Sequence, residues 1–171
     1  MAGKSTVGIV GLGIMGGAMA RNLLADGWRV LGYDVDAATV ANARKDGIEI
    51  AASVAELALA ASDIITSLPK PEAVIATTEA IAAAGSPRRV VLEASTLSLD
   101  DKQTFAAILE GAGHVALDCP LSGTGAQARE NTGELDGHGW ESAPSRVHTR
   151  NNQLTESHKR NYAVCRNMTI A

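Results

Sequence analysis

Aromatic side chains are nearly missing from this chain: they make up 3% of its 171 residues, with a single phenylalanine. Its core must therefore be assembled from Ala, Val, Ile and Leu, which supply most of the 46% hydrophobic share and suit small helices packed on a sheet. Cysteine is scarce too. Cys119 and Cys165 lack C-x-x-C spacing, which excludes a disulfide framework and points to a reducing compartment. No run of Lys or Arg occurs and the net charge is -4, so nucleic acid and anionic membranes are not expected partners, and a small molecule is. Long apolar runs are also lacking. Lys4 precedes the apolar stretch from Val7 to Ala20, but glycines interrupt it and Arg21 closes it, which excludes a signal peptide or membrane span and leaves a cytoplasmic protein as the expectation. The length allows one domain plus an appendage.

What is present is a regular alternation. Val7–Val10 is a short apolar run ending at glycines, and Ile14, Met15, Ala18, Met19, Asn22 and Leu23 then mark a face at helical spacing. Asp26-Gly27 stops that helix, Arg29–Tyr33 reads as a second strand ending at Asp34, and Asp36 caps a helix that Gly47 ends. Further strands are expected at Ile48–Ile50, Asp63–Ser67, Val90–Glu93 and His114–Asp118. The intervening helices start at the capping-box pair Ser53 and Glu56, at Pro71, and at Ser98 with Asp100 and Asp101 behind it. Such alternation predicts an α/β fold: a Rossmann doubly wound parallel sheet of about six strands with helices on both faces. Residues 1–128 form the expected dinucleotide-binding domain. From 129 to 171 the chain turns polar and irregular, with no face that could pack, and reads as a tail that is disordered or derived from a shifted reading frame.

The turn Gly11-Leu12-Gly13-Ile14-Met15-Gly16 carries the chemistry. In a G-x-G-x-x-G turn the first glycine permits a tight bend, the second lets the backbone approach a pyrophosphate, and the third lets the helix pack closely on the strand. The helix N-terminus then offers unpaired amides and a positive dipole end to the phosphates. By itself the pattern is weak. Here it follows an expected strand, opens a helix and is followed by Asp34 at the next strand end, the place of the residue that accepts hydrogen bonds from an adenosine ribose and repels a 2′-phosphate. NAD is therefore expected over NADP. Asp36 is a competing acidic candidate whose more natural role is the helix cap. His138, His148 and His158 recur at ten-residue steps, which hold no helical face and match no zinc spacing, so no metal is expected.

The segment Ile9–Leu23, with Met15 and the Met19-Ala20-Arg21-Asn22-Leu23 run, resembles the N-terminal signature of the 3-hydroxyisobutyrate dehydrogenase family, whose NAD-binding domain is like that of 6-phosphogluconate dehydrogenase. Ser67-Leu68-Pro69 is similar to the family's loop along the cofactor, and Glu93-Ala94-Ser95-Thr96 to its loop at the nicotinamide ribose. The resemblance thus implies cofactor contacts from Gly11, Leu12, Gly13, Ile14, Met15, Gly16, Asp34, Leu68, Pro69 and Thr96. The run from Asp118 to Ala126 resembles the substrate loop, implying that Ser122 and Gly123 hold a carboxylate, with Thr124 in place of the family's second glycine. The implied activity is hydride transfer between a small 3-hydroxy acid and a nicotinamide cofactor, in a homo-oligomer. The family's proton-handling lysine, between a glycine-rich helix start and an asparagine, has no counterpart in 129–171. Lys159 lacks those glycines, so no catalytic residue is assigned. The chain reads as truncated to the cofactor-binding domain, and the alternative is a non-catalytic NAD-binding module.

Overall fold

The computed structural model describes residues 5–119. Within them the element order is β1 (Thr6–Val10), α1 (Ile14–Ala25), β2 (Arg29–Tyr33), α2 (Ala37–Lys45), β3 (Glu49–Ile50), α3 (Val54–Ala60), β4 (Asp63–Thr66), α4 (Pro71–Ala83), β5 (Val90–Glu93), α5 (Leu99–Gly111) and β6 (Val115–Asp118). All strand pairs are parallel, in the order β3-β2-β1-β4-β5-β6. This is the doubly wound order expected from the alternation, and its direction reverses between β1 and β4.

The two faces of the sheet sort the apolar residues by strand parity. Val7, Ile9, Ile65, Leu92, Val115 and Leu117 point to one side, where they meet Met19, Ala20 and Leu23 of α1 and Ala43 of α2. Ile64, Val91 and Ala116 point to the other, against Leu57 of α3, Val74 and Ile81 of α4, and Phe105 and Leu109 of α5. Both faces are covered, which is why the strands read as nearly unbroken apolar runs. Phe105, the only phenylalanine, is buried at the centre of the second layer.

Local chemistry sets the helix boundaries. Asp36 accepts from the Thr39 amide, Ser53 from the Glu56 amide and Ser98 from the Asp101 amide, while Pro71 occupies the first turn of α4. Gly27, Gly47 and Gly113, all at positive φ, turn the chain out of α1, α2 and α5. At the lower edge of the sheet, the Arg89 guanidinium donates to the carbonyls of Ala58 and Leu59 at the end of α3. His114 Nδ1 accepts from the Arg89 amide at 3.1 Å. Burial, the largest cause, together with the Arg89 charge holds the His114 imidazole below its ordinary pKa, so this side chain is neutral and structural. The six strands leave their carboxyl ends on the opposite edge, where the glycine turn lies.

Candidate functional site

Four strand ends build one cleft. Backbone ladders run a residue beyond the strands: Gly11 N–H donates to Tyr33 O, Ser67 N–H to Val10 O, Ala94 N–H to Thr66 O and Cys119 N–H to Glu93 O, each at 2.9 Å. The loops after β1, β2, β4 and β5 are thereby held side by side at the point where the sheet order reverses. They enclose a cleft of about 900 Å³, within the roughly 300–1,000 Å³ usual for small-molecule and cofactor sites. Among the expected site residues, Gly11, Gly13, Ile14, Met15, Asp34, Leu68, Pro69 and Thr96 line it.

The other two expected cofactor contacts, Leu12 and Gly16, stand behind the wall. Leu12 packs its side chain into the core, and Gly16 is buried beneath the turn. Their positions explain the turn's sequence. Gly11 has φ +90, and a Cβ there would overlap the Ser67 carbonyl oxygen, so the bend brings two strand-end loops into backbone contact. A Cβ on Gly16 would overlap the Gly11 carbonyl, so the third glycine lets α1 begin directly under the bend. Gly13 differs from both: among the described residues no neighbouring atom lies within 4 Å of where its Cβ would stand, and that open space belongs to the cleft. The room a side chain would fill is left over exposed backbone, at the N-cap of α1.

α1 reaches the cleft without a side-chain cap and without an acidic residue in its first turn, whereas α2, α3 and α5 are capped by Asp36, Ser53 and Ser98. Its N-terminal amides and positive dipole end are therefore available to an anion. On the adjacent strand end, Asp34 Oδ2 accepts from the Leu12 amide at 2.7 Å and Oδ1 from the Asp36 amide at 2.9 Å. The half-buried carboxylate thus braces the glycine turn, and each oxygen keeps a lone pair for a further donor. Asp36 points elsewhere. The Thr39 hydroxyl and amide hold its carboxyl below the usual range, both at 2.7 Å from Oδ2, which fixes it as the cap of α2 and leaves Asp34 as the acid on the cleft.

Reading the sequence missed two features of this site. Val35, Val54, Ala73 and Ala76 add apolar lining to the cleft; the one signal in the sequence was Val35, an apolar residue between two aspartates. The second is an ionic network behind the Ser95 loop. Lys102 of α5 pairs with Glu93 at the end of β5 and with Asp118 at the end of β6, the latter at 2.7 Å. Ser95 Oγ accepts from the Leu68 amide at 3.0 Å, joining the β5 loop to the β4 loop. Nine residues separate Lys102 from Glu93 and 27 separate Leu68 from Ser95, spacings that no local motif encodes.

Ser122, Gly123 and the tail from 129 lie outside the described residues, as do His138, His148, His158 and Lys159. Among the described residues, no cluster of His, Cys, Asp or Glu could hold a metal ion, and no helix is long and apolar enough to cross a membrane.

Known proteins share this arrangement. The family model described as the NAD binding domain of 6-phosphogluconate dehydrogenase matches residues 6–138. A probable 3-hydroxyisobutyrate dehydrogenase of Mycobacterium tuberculosis is 33% identical over 119 residues, covering 70% of this chain and 40% of that protein. The mitochondrial 3-hydroxyisobutyrate dehydrogenase of Mus musculus is 33% identical over 132 residues, covering 75% and 39%. A solved structure of Mycobacterium tuberculosis 3-hydroxyisobutyrate dehydrogenase with L-serine superimposes with a TM-score of 0.72 at 31% identity, covering 75% of this chain and 44% of that one. The chain spans about 40% of the length of the curated relatives it matches. The parallel order, the glycine turn and this match over most of the chain lead to one statement of kinship: the chain belongs to the family of NAD-binding domains of the 6-phosphogluconate dehydrogenase type, whose relatives here are 3-hydroxyisobutyrate dehydrogenases.

Proposed function

We propose that this chain binds a nicotinamide dinucleotide in the cleft, NAD in preference to NADP, and serves as the cofactor-binding part of a dehydrogenase acting on a small 3-hydroxy acid. The open space over Gly13, in front of the uncapped N-terminus of α1, is the observation that carries the cofactor reading. Backbone exposed beside unpaired amides fits a pyrophosphate, which would be held by the turn from Gly11 through Met15. The free lone pairs of Asp34 suit ribose hydroxyls, and its charge disfavours a 2′-phosphate. The apolar lining from Val35, Val54, Ala73 and Ala76 suits an adenine ring. Leu68, Pro69 and Thr96 then face the second nucleotide, because a dinucleotide lies across the point where strand order reverses.

A bound nicotinamide ring supplies hydride transfer to or from a carbon bearing the hydroxyl. For this chain the work is binding and orientation: the α1 amides neutralise the phosphates, and Asp34 fixes the ribose. Ser122 and Gly123 are proposed to hold the substrate carboxylate, in line with the relatives' names. The same lines of reasoning favour a cytoplasmic protein and a homo-oligomer, to be checked by fractionation of source cells and by light scattering.

Isothermal titration with NADH and NADPH at matched ionic strength tests the cofactor reading. Saturable one-site binding, tighter for NADH, is expected; no binding of either sinks it. Residues 129–171 contain no glycine-rich segment leading to a lysine and asparagine, which favours a second reading, a non-catalytic NAD-binding module. An assay of NADH formation from 3-hydroxyisobutyrate separates the two, since turnover well above background excludes the second reading.

A further inference from the structure

Lys102 is an unusual residue in its place. It lies in the first turn of α5, where the helix dipole disfavours a cation, yet its side chain is only 10% exposed. Its ammonium hydrogen-bonds Glu93 Oε2 and, at 2.7 Å, the Ser95 carbonyl, and forms an ion pair with Asp118 Oδ1 at 2.7 Å. Glu93 is fully buried, and a lone carboxylate there would be strongly unfavourable, so the ammonium is its compensating partner. The other oxygen of Glu93 accepts from the Ser95 amide at 2.8 Å.

The consequence is geometric. Both peptide groups of Ser95 are gripped by the same ion pair, its N–H by Glu93 and its C=O by Lys102. Ser95 Oγ in turn fixes the Leu68 amide at 3.0 Å. Ser95, Thr96 and Leu68 line the cleft, whereas Glu93, Lys102 and Asp118 do not. The loops after β4 and β5 and the end of β6 are thus tied to one ammonium group that stands behind the wall. Asp34 and the glycine turn, on the far side of the sheet reversal, take no part in this network.

We propose that Lys102 is a positioning residue for the second-nucleotide half of the site: acting through Glu93 and the Ser95 peptide, it sets the wall formed by Leu68, Ser95 and Thr96. This rests on the dinucleotide reading above. It implies that loss of the ammonium affects only ligands that extend past the pyrophosphate toward β5, and leaves the adenosine half intact.

The test compares two ligands on the full-length chain, NADH by fluorescence titration and ADP, which lacks the second nucleotide, by calorimetry. For Lys102→Met the expected result is a roughly tenfold rise in the NADH dissociation constant, about what loss of a charge-assisted hydrogen bond gives. The ADP constant should stay within about twofold, and Lys102→Arg should restore NADH binding to within roughly threefold of wild type, by keeping the charge. If Lys102→Met does not fold, Glu93→Gln with Lys102→Met removes both charges together and should show the same selective loss. Equal weakening of both ligands, or no weakening of either, overturns the proposal. Wild-type protein that binds neither ligand overturns the dinucleotide reading, and the role of Lys102 with it.

Discussion

The two halves of the cleft are built from different materials. On the β1–β2 side the wall is backbone: a bend at Gly11, open main chain at Gly13 and uncapped amides at the start of α1, braced by one carboxylate, Asp34. On the β4–β5 side the wall is a loop held by side-chain ions, with Lys102 and Glu93 gripping Ser95 and Ser95 gripping Leu68. A backbone wall depends on the absence of side chains, so adding one atom damages it. An ionic wall depends on a few charges, so removing one loosens it while the fold around it stands.

The sharpest way to break this contrast is a single methyl group on the backbone side. Gly11→Ala should lose roughly 2 to 5 kcal/mol, from strain at positive φ combined with overlap on the Ser67 carbonyl. Urea denaturation measures it, and a loss under about 1 kcal/mol would refute the close approach of the two loops. Gly13→Ala inverts the outcome. With open space around its Cβ, stability should change by no more than about 0.5 kcal/mol, while NADH affinity falls by roughly tenfold or more as the methyl enters the phosphate cradle. Unchanged affinity in titration would move the pyrophosphate away from this turn.

Asp34 is where brace and ligand meet. Asp34→Ala should weaken NADH by roughly tenfold but leave NADPH unchanged or improved. The same variant should lose about 1–2 kcal/mol of stability, because two amides lose their acceptor. Equal weakening of both cofactors contradicts the proposed ribose contact. The smallest effect lies at the opposite edge of the sheet. The pKa of His114 is lowered in the folded chain, so protons bind the unfolded chain more tightly. Its contribution to stability is complete above the unfolded value near 6.5 and is lost as pH falls below it. Urea midpoints should fall between pH 7.5 and 5.5, less so in His114→Gln, with cofactor affinity following no such difference.

The same contrast explains what could be read from the sequence. Strand parity, the caps at Asp36, Ser53 and Ser98, Pro71 at the head of α4 and the turn Gly11–Gly16 are local, because each follows from backbone geometry within a few residues. They were enough to specify six parallel strands with helices on both faces. Asp34 was legible as an acid at a strand end, although its grip on the Leu12 amide, 22 residues away, was not. The hidden parts depend on topology. Nothing near Lys102 announces that β5 and β6 will bring Glu93 and Asp118 to it, and Ala73 and Ala76 become cleft residues only because α4 packs beside α3. Leu12 was legible as part of the motif, but not its structural part: its side chain fills the core and its amide donates to Asp34.

The most direct measurement is calorimetric titration of the full-length chain and of Gly13→Val with NADH and NADPH at matched ionic strength. The expected result is one site per chain, tighter for NADH than for NADPH, and abolished in the variant while its fold is retained by circular dichroism. No heat with either cofactor, tighter binding of NADPH, or undiminished binding by Gly13→Val would contradict a dinucleotide site built on this turn.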